Sequence, residues 1–163
     1  MSERIEKLIR DYRKLKMEQE CLLRQICDFR GISEQDMIDV LYFTQPEGER
    51  VQTSGMSDKT AKVALNYKSK MAKINEEWYD HLEDEYMKLT EELRFFESAV
   101  MSLPGIMGDV MRDIVMKGKT WTECADQYFI NRRTVGKYRS KAIDALQKLY
   151  ENREAQMDSY MLN

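Results

Sequence analysis

Apolar side chains recur along residues 5–29 at alternating intervals of three and four, which is the spacing of one face of an α-helix. A stripe of this length is too long for a surface helix to leave in water, so it must pack against another helix. The sequence therefore predicts an all-α protein whose first long helix ends at Gly31. The stripe consists of Ile5, Leu8, Tyr12, Leu15, Leu22, Ile26 and Phe29, with the polar Gln19 at one of its positions.

A second stripe with the same spacing predicts a long helix over residues 57–103, which Ser57 or Asp58 caps. The N-terminal helical segment, residues 1–43, also holds a short helix that Ser33 caps. Between the two segments, residues 44–56 contain a proline and two glycines and no apolar period, so we interpret them as a linker loop. The second stripe consists of Ala64, Tyr67, Met71, Ile74, Trp78, Leu82, Tyr86, Leu89, Leu93, Phe96, Val100 and Leu103.

Two folds would bury the N-terminal stripe. In the first, two copies of the chain form a coiled coil, and Gln19 sets the register between them. In the second, residues 1–30 form a hairpin with residues 70–103 of the same chain. We expect the first, a homodimer, and sedimentation of the full chain distinguishes the two.

The cysteines and the histidine do not suggest a disulfide, a metal site or a cofactor. Cys21 and Cys27 would lie about 9 Å apart along a helix, which is beyond bridging distance, and Cys124 lies in another region. His81, the only histidine, has no cysteine beside it for a zinc site. No apolar run approaches the roughly 20 residues of a membrane span, and the charged N-terminus lacks the core of a secretory signal. We therefore expect a cytoplasmic protein that does not contact a membrane. The sequence also shows no catalytic carboxylate pair, no Ser/His/Asp or Cys/His arrangement and no phosphate-cradling loop, so we do not expect an enzyme.

Charge is segregated along this chain, whose net charge is −3. Residues 131–148 carry six basic side chains against the single acid Asp144, whereas residues 75–97 carry nine acids against Lys88 and Arg94. When an acidic protein has a concentration of cations in one stretch, that stretch is a candidate nucleic-acid-binding surface, and the rest of the molecule has another role. The acidic stretch itself is typical of a solvated helix face, with a partner-binding surface as the alternative.

The basic stretch also has the pattern of a helix-turn-helix. We predict a helix from Thr122 to Tyr128, a tight turn at residues 129–131, and a second helix that Asn131 caps. The small Ala125 allows the two helices to cross closely, and Ile130 fills the angle between them. The predicted common core consists of Cys124, Ala125, Tyr128, Ile130, Val135, Tyr138, Ala142, Ile143 and Leu146.

The exposed face of the second helix is the predicted DNA-binding site. Arg132, Arg133 and Thr134 lie in its first turn, where a recognition helix meets base edges. Lys137 and Lys141 follow Arg133 at successive intervals of four and would contact phosphates. Gly136 removes a side chain from this face, which would let the backbone approach a phosphate. The alternative is that these cations are only a solvated surface.

The chain from about Glu92 to Leu149 resembles region 4 of the sigma-70 family. The resemblance is carried by Leu103-Pro104, Gly118, Glu123-Cys124-Ala125, the run Ile130-Asn131-Arg132-Arg133-Thr134-Val135, and Ala142 with Leu146. Two positions depart from that pattern: Phe129 stands where the turn usually has glycine, and Asn131 replaces a serine cap. A left-handed backbone at Phe129 would be strained, whereas asparagine is an equally good cap.

The whole layout resembles ArpU/RinA-type phage transcriptional regulators of Gram-positive hosts. The resemblance implies a helical N-terminal half, a DNA-binding module over residues 104–150 and a tail over residues 151–163. It also implies sequence-specific binding of double-stranded DNA, control of phage or prophage genes in a bacterial host cell, and host RNA polymerase as a second partner. No region of the chain corresponds to the promoter-melting part of a sigma factor, so we do not expect a complete one.

Two other functions fit the same pattern. A small-terminase-like DNA-packaging protein also joins a helix-turn-helix to oligomerising helices, and a ring-shaped assembly would favour it. A phage inhibitor would bind a host protein or nuclease, through the acidic 75–97 face or through the fold as a whole. Salt-insensitive binding to a protein and no affinity for DNA would favour it.

Overall fold

The computed structural model describes the backbone of residues 2–31 and 59–161, and the side chains of residues 3–31 and 69–161. The described chain is all-α, as the apolar periodicity predicts, and contains no strand. The short helix after Ser33, the linker 44–56 and the caps Ser57 and Asp58 lie outside the described residues. The helices are α1 (Ser2–Cys27), α2 (Lys59–Met101), α3 (Gly105–Val115), α4 (Trp121–Gln127) and α5 (Arg132–Met161).

The chain divides into two compact units, and the first contains both ends of the sequence. It consists of Met1–Cys21 with Met87–Asn163, and the second consists of Leu22–Tyr86. In the first unit the start of α1 packs on the end of α2 and on α5, in one apolar cluster. The buried members with the least exposure include Ile5, Leu93, Phe96, Val100, Met111, Ala142, Leu146 and Tyr150.

This cluster covers the start of the N-terminal stripe from within the same chain. Ile5, Leu8 and Tyr12 are buried in it, and 6.0 Å separates the ring centroids of Tyr12 and Phe96. Gln19 donates a hydrogen bond to Thr90 Oγ1 at 2.7 Å, so its polar group is satisfied without a second copy. The intrachain packing that we set against the dimer is therefore present here. The stripe no longer argues for self-association, and the homodimer stays a prediction.

In the second unit the two stripes are only partly buried. Phe29 packs on Tyr79 with 5.3 Å between the ring centroids, and Leu82 is buried. Leu22 and Ile26 are half-buried, whereas Trp78, which we placed in the second stripe, is 45% exposed. The 3-4 spacing therefore predicts the helices correctly but overstates the burial of Trp78.

Three of the nine acids of residues 75–97 form ion pairs or hydrogen bonds with other helices of the first unit. Glu92 accepts a hydrogen bond from Arg4 at 3.0 Å and lies 3.5 Å from Arg153 Nη1. Arg153 also pairs with Glu91 at 2.6 Å, and Glu97 accepts from the Tyr12 hydroxyl at 2.7 Å. These acids tie the helices together, so this end of the acidic stretch is not a free face.

The three helices that follow Leu103-Pro104, which are α3, α4 and α5, pack on one another. A second apolar cluster joins them through Val110, Cys124, Ala125 and Val135, with Ile130 packed against it. The predicted common core is thus divided, because Ala142, Ile143 and Leu146 belong to the cluster that α1 completes. α5 also continues as a helix to Met161, through the segment that we predicted as a tail.

Candidate nucleic-acid interface

A short turn sets the angle between α4 and α5. Tyr128 follows the last residue of α4, and the amide of Ile130 donates to the Ala125 carbonyl at 3.0 Å. Phe129 has a φ of +53°, which is the left-handed conformation that we expected to be strained, and its side chain is 96% exposed. The turn therefore keeps its shape without any packing from the Phe129 ring, although an L-residue is unfavourable there.

Asn131 fixes the first turn of α5. Its Oδ1 accepts hydrogen bonds from the Thr134 amide at 2.8 Å and from the Thr134 hydroxyl at 2.9 Å. This is the cap that the sequence predicts, and it satisfies one of the free amides at the helix start. The same bonds hold the Thr134 hydroxyl close to the backbone, so Thr134 is half-buried and helps to order this turn.

The basic face of α5, defined as Arg132, Arg133, Lys137 and Lys141, is exposed to solvent. None of these four cations forms an ion pair with an acid among the residues that the structure describes. Intervals of four place successive side chains about 6 Å apart along one side of a helix. The face therefore presents a row of unneutralised positive charge, which is the arrangement that an anionic polymer requires.

Trp121, the first residue of α4, lies against the start of this face. The Arg132 guanidinium carbon is 6.0 Å from the centroid of the Trp121 ring, within the range of a cation–π contact. Gly136 lies close to the same ring, and a Cβ there would stand 3.4 Å from Trp121 Cζ3. Gly136 is half-buried, and the approach of a phosphate to its backbone stays a prediction. We did not predict Trp121 as part of this face, although an aromatic residue beside a helix cap could have indicated it.

A capping box holds the start of α4, one residue before the predicted start. The Glu123 amide donates to Thr120 Oγ1 at 3.2 Å, and the Thr120 amide donates to Glu123 Oε2 at 2.7 Å. Because the Thr120 amide donates to it, the pKa of the Glu123 carboxyl is lowered. The box positions Trp121, the next residue, and through it Arg132.

Asp113 is a buried carboxylate that joins α3 to the start and end of α4. It is 2% exposed, pairs with Lys117 at 2.6 Å and Lys119 at 3.0 Å, and accepts a hydrogen bond from the Tyr128 hydroxyl at 3.0 Å. Burial raises the pKa of Asp113, but the hydrogen bonds from Lys117, Lys119 and Tyr128 outweigh it and lower the pKa to about 2. Burial and the Asp113 charge together raise the pKa of Tyr128 to about 12. The spacing of four between Asp113 and Lys117 could have indicated this pair.

Other chemistry is sparse in the described parts of the chain. No group of three or more histidine, cysteine, aspartate or glutamate side chains there is arranged to hold a metal ion. Burial raises the pKa of the Cys124 thiol, which is a small apolar side chain of the core rather than a nucleophile. A search of the described helices finds none with the length and apolarity of a membrane-spanning segment.

Comparison of the chain with models of protein families, with curated proteins and with solved structures gives no match.

Proposed function

We propose that this protein binds double-stranded DNA sequence-specifically through the basic face of α5 and regulates transcription of phage or prophage genes in the cytoplasm of a bacterial host. The observation that carries the proposal is the row of exposed cations without ion pairs on a capped helix that follows a short turn. Several other cations of the first unit form ion pairs with acids, among them Arg4, Arg153, Lys117 and Lys119. The cations of the basic face of α5 thus remain available to an anionic partner, although the protein's net charge is −3.

The position of each cation suggests its role. Arg132, Arg133 and Thr134 lie in the first turn of α5, which reaches base edges when such a helix enters the major groove. Arginine can bind guanine through two parallel hydrogen bonds, so Arg133 is the residue we assign to sequence reading. Lys137 and Lys141 lie further along the helix and would neutralise phosphates, which gives affinity for any sequence.

We propose two further partners, a second copy of the chain and host RNA polymerase. A homodimer would let two copies of α5 read half-sites one helical turn apart, as helix-turn-helix regulators do. Host RNA polymerase is proposed as a second partner because the chain from Glu92 to Leu149 resembles sigma region 4.

Selection from a pool of random-sequence duplexes of about 30 base pairs tests the proposal, since that length holds two half-sites. The full chain should retain a subset of sequences with a common motif, and it should bind that motif more tightly than a scrambled duplex. Retention that decreases with salt but selects no motif would remove the sequence-specific function. No retention at any salt concentration would favour an inhibitor that binds a host protein.

A further inference from the structure

An arginine of the N-terminal helix lies on the loop between α3 and α4. Arg13 of α1 donates a hydrogen bond from Nη2 to the Lys117 carbonyl oxygen at 2.5 Å. Beneath the guanidinium is Gly118, where a Cβ would overlap the Arg13 side chain. Gly118 also has a φ of +65°, which glycine adopts without strain. The turn therefore favours glycine because of its backbone conformation, and a larger residue would also displace the end of the Arg13 side chain.

The charge of Arg13 is not neutralised by this contact. Its partner is a carbonyl oxygen, and Arg13 forms no ion pair with a described acid. The two lysines of the same loop differ, because Lys117 and Lys119 both pair with the buried Asp113. A guanidinium has five N–H donors, so most of the donors of Arg13 remain free to bind an anion.

We propose that Arg13 contacts a DNA phosphate, so that α1 extends the interface formed by α5; this inference rests on the proposed function. In the homeodomain, a three-helix module whose third helix enters the major groove, the loop between the first two helices contacts the phosphate backbone. The corresponding loop here joins α3 to α4, and Arg13 lies on it. Because the Lys117 carbonyl already orients the guanidinium, little side-chain freedom is lost when it binds a phosphate.

A purely structural role for Arg13 makes a different prediction. An arginine that only satisfies carbonyls at the end of α3 would stabilise the fold and leave the salt dependence of DNA binding unchanged. A phosphate contact releases about one counterion, so its loss lowers the slope of log affinity against log salt by about one unit. At about 0.1 M salt that corresponds to a loss of roughly five- to tenfold in affinity.

The test compares Arg13→Gln and Arg13→Lys with the matched control Lys7→Ala, using a labelled random-sequence duplex at several salt concentrations. Arg13→Gln keeps a polar N–H donor but loses the charge, and Arg13→Lys keeps the charge. Lys7 is an exposed cation of the same helix with no hydrogen bond or ion pair to another described residue. Thermal melting of each variant reports whether it is folded.

We expect Arg13→Gln to lower both the affinity and the salt slope, Arg13→Lys to keep the slope, and Lys7→Ala to change neither. If wild type binds the duplex and Arg13→Gln has the wild-type slope, the phosphate contact is overturned while the proposed function stands. The phosphate contact is also overturned if Arg13→Gln melts at a lower temperature but keeps the wild-type affinity and salt slope. If wild type binds no duplex, the proposed function fails and this inference fails with it.

Discussion

Replacing Phe129 with glycine should stabilise the protein, although it removes a large apolar side chain. The ring is 96% exposed, so its loss forfeits almost no buried surface. The φ of +53° is unfavourable for an L-residue by about 1–2 kcal/mol, and glycine relieves that strain. Glycine also gives the unfolded chain more freedom, which offsets about 0.5–1 kcal/mol of the gain. The net increase in the free energy of unfolding should be about 0.5–1 kcal/mol.

Circular dichroism during thermal unfolding measures this effect. For a chain of this size, about 0.5–1 kcal/mol corresponds to a rise in Tm of roughly 1–4 °C. Phe129→Ala is the matched control, because it removes the same ring but keeps a Cβ and therefore keeps the strain. We expect the glycine variant to melt above the alanine variant. Equal melting temperatures for the two variants would refute the argument from backbone strain.

Three further predictions concern the core and the buried carboxylate. Ala125→Glu should unfold the α4–α5 module, because Ala125 is 8% exposed and a charge there has no partner; normal DNA binding by this variant would contradict the helix packing. Ile5→Ala should lower the free energy of unfolding by about 2–4 kcal/mol, measured with urea, because Ile5 is fully buried. The folded pKa of Asp113, about 2, lies below its ordinary value of 3.8, so its ionised form stabilises the fold at neutral pH. That stabilisation, about 2 kcal/mol, should be lost as pH falls from about 4 to about 2, and Asp113→Asn should flatten this part of the stability profile.

The sequence predicts local structure well wherever one residue type dominates the energetics. Asn131 caps α5 because its side chain reaches the Thr134 amide, and Pro104 precedes α3 because proline cannot continue α2. Phe129 takes the left-handed conformation because the turn geometry requires it.

Long-range partners are less predictable, because periodicity identifies a buried face but not what covers it. The same stripe from Ile5 to Tyr12 would fit a second chain or the end of α2, and the structure pairs it with α2 and α5. Arg13 carries no sequence signal for its place on the α3–α4 loop, since 104 residues separate it from Lys117. The predicted site residues all lie on α5. The helical period alone determines which of them share a face, so spacing was enough to propose that face.

The central claim is that the basic face of α5 binds DNA, and titration of three alanine variants tests it most directly. Arg133→Ala, Lys141→Ala and the control Lys148→Ala are titrated on the selected duplex and on a scrambled one, at two salt concentrations. Arg133→Ala should weaken binding to the selected duplex by about 1–3 kcal/mol and should change the affinity for the scrambled duplex little. Lys141→Ala should weaken both alike and lower the salt slope by about one unit, and Lys148→Ala should change neither. Wild-type binding by both Arg133→Ala and Lys141→Ala would contradict the account and leave the face as solvated surface.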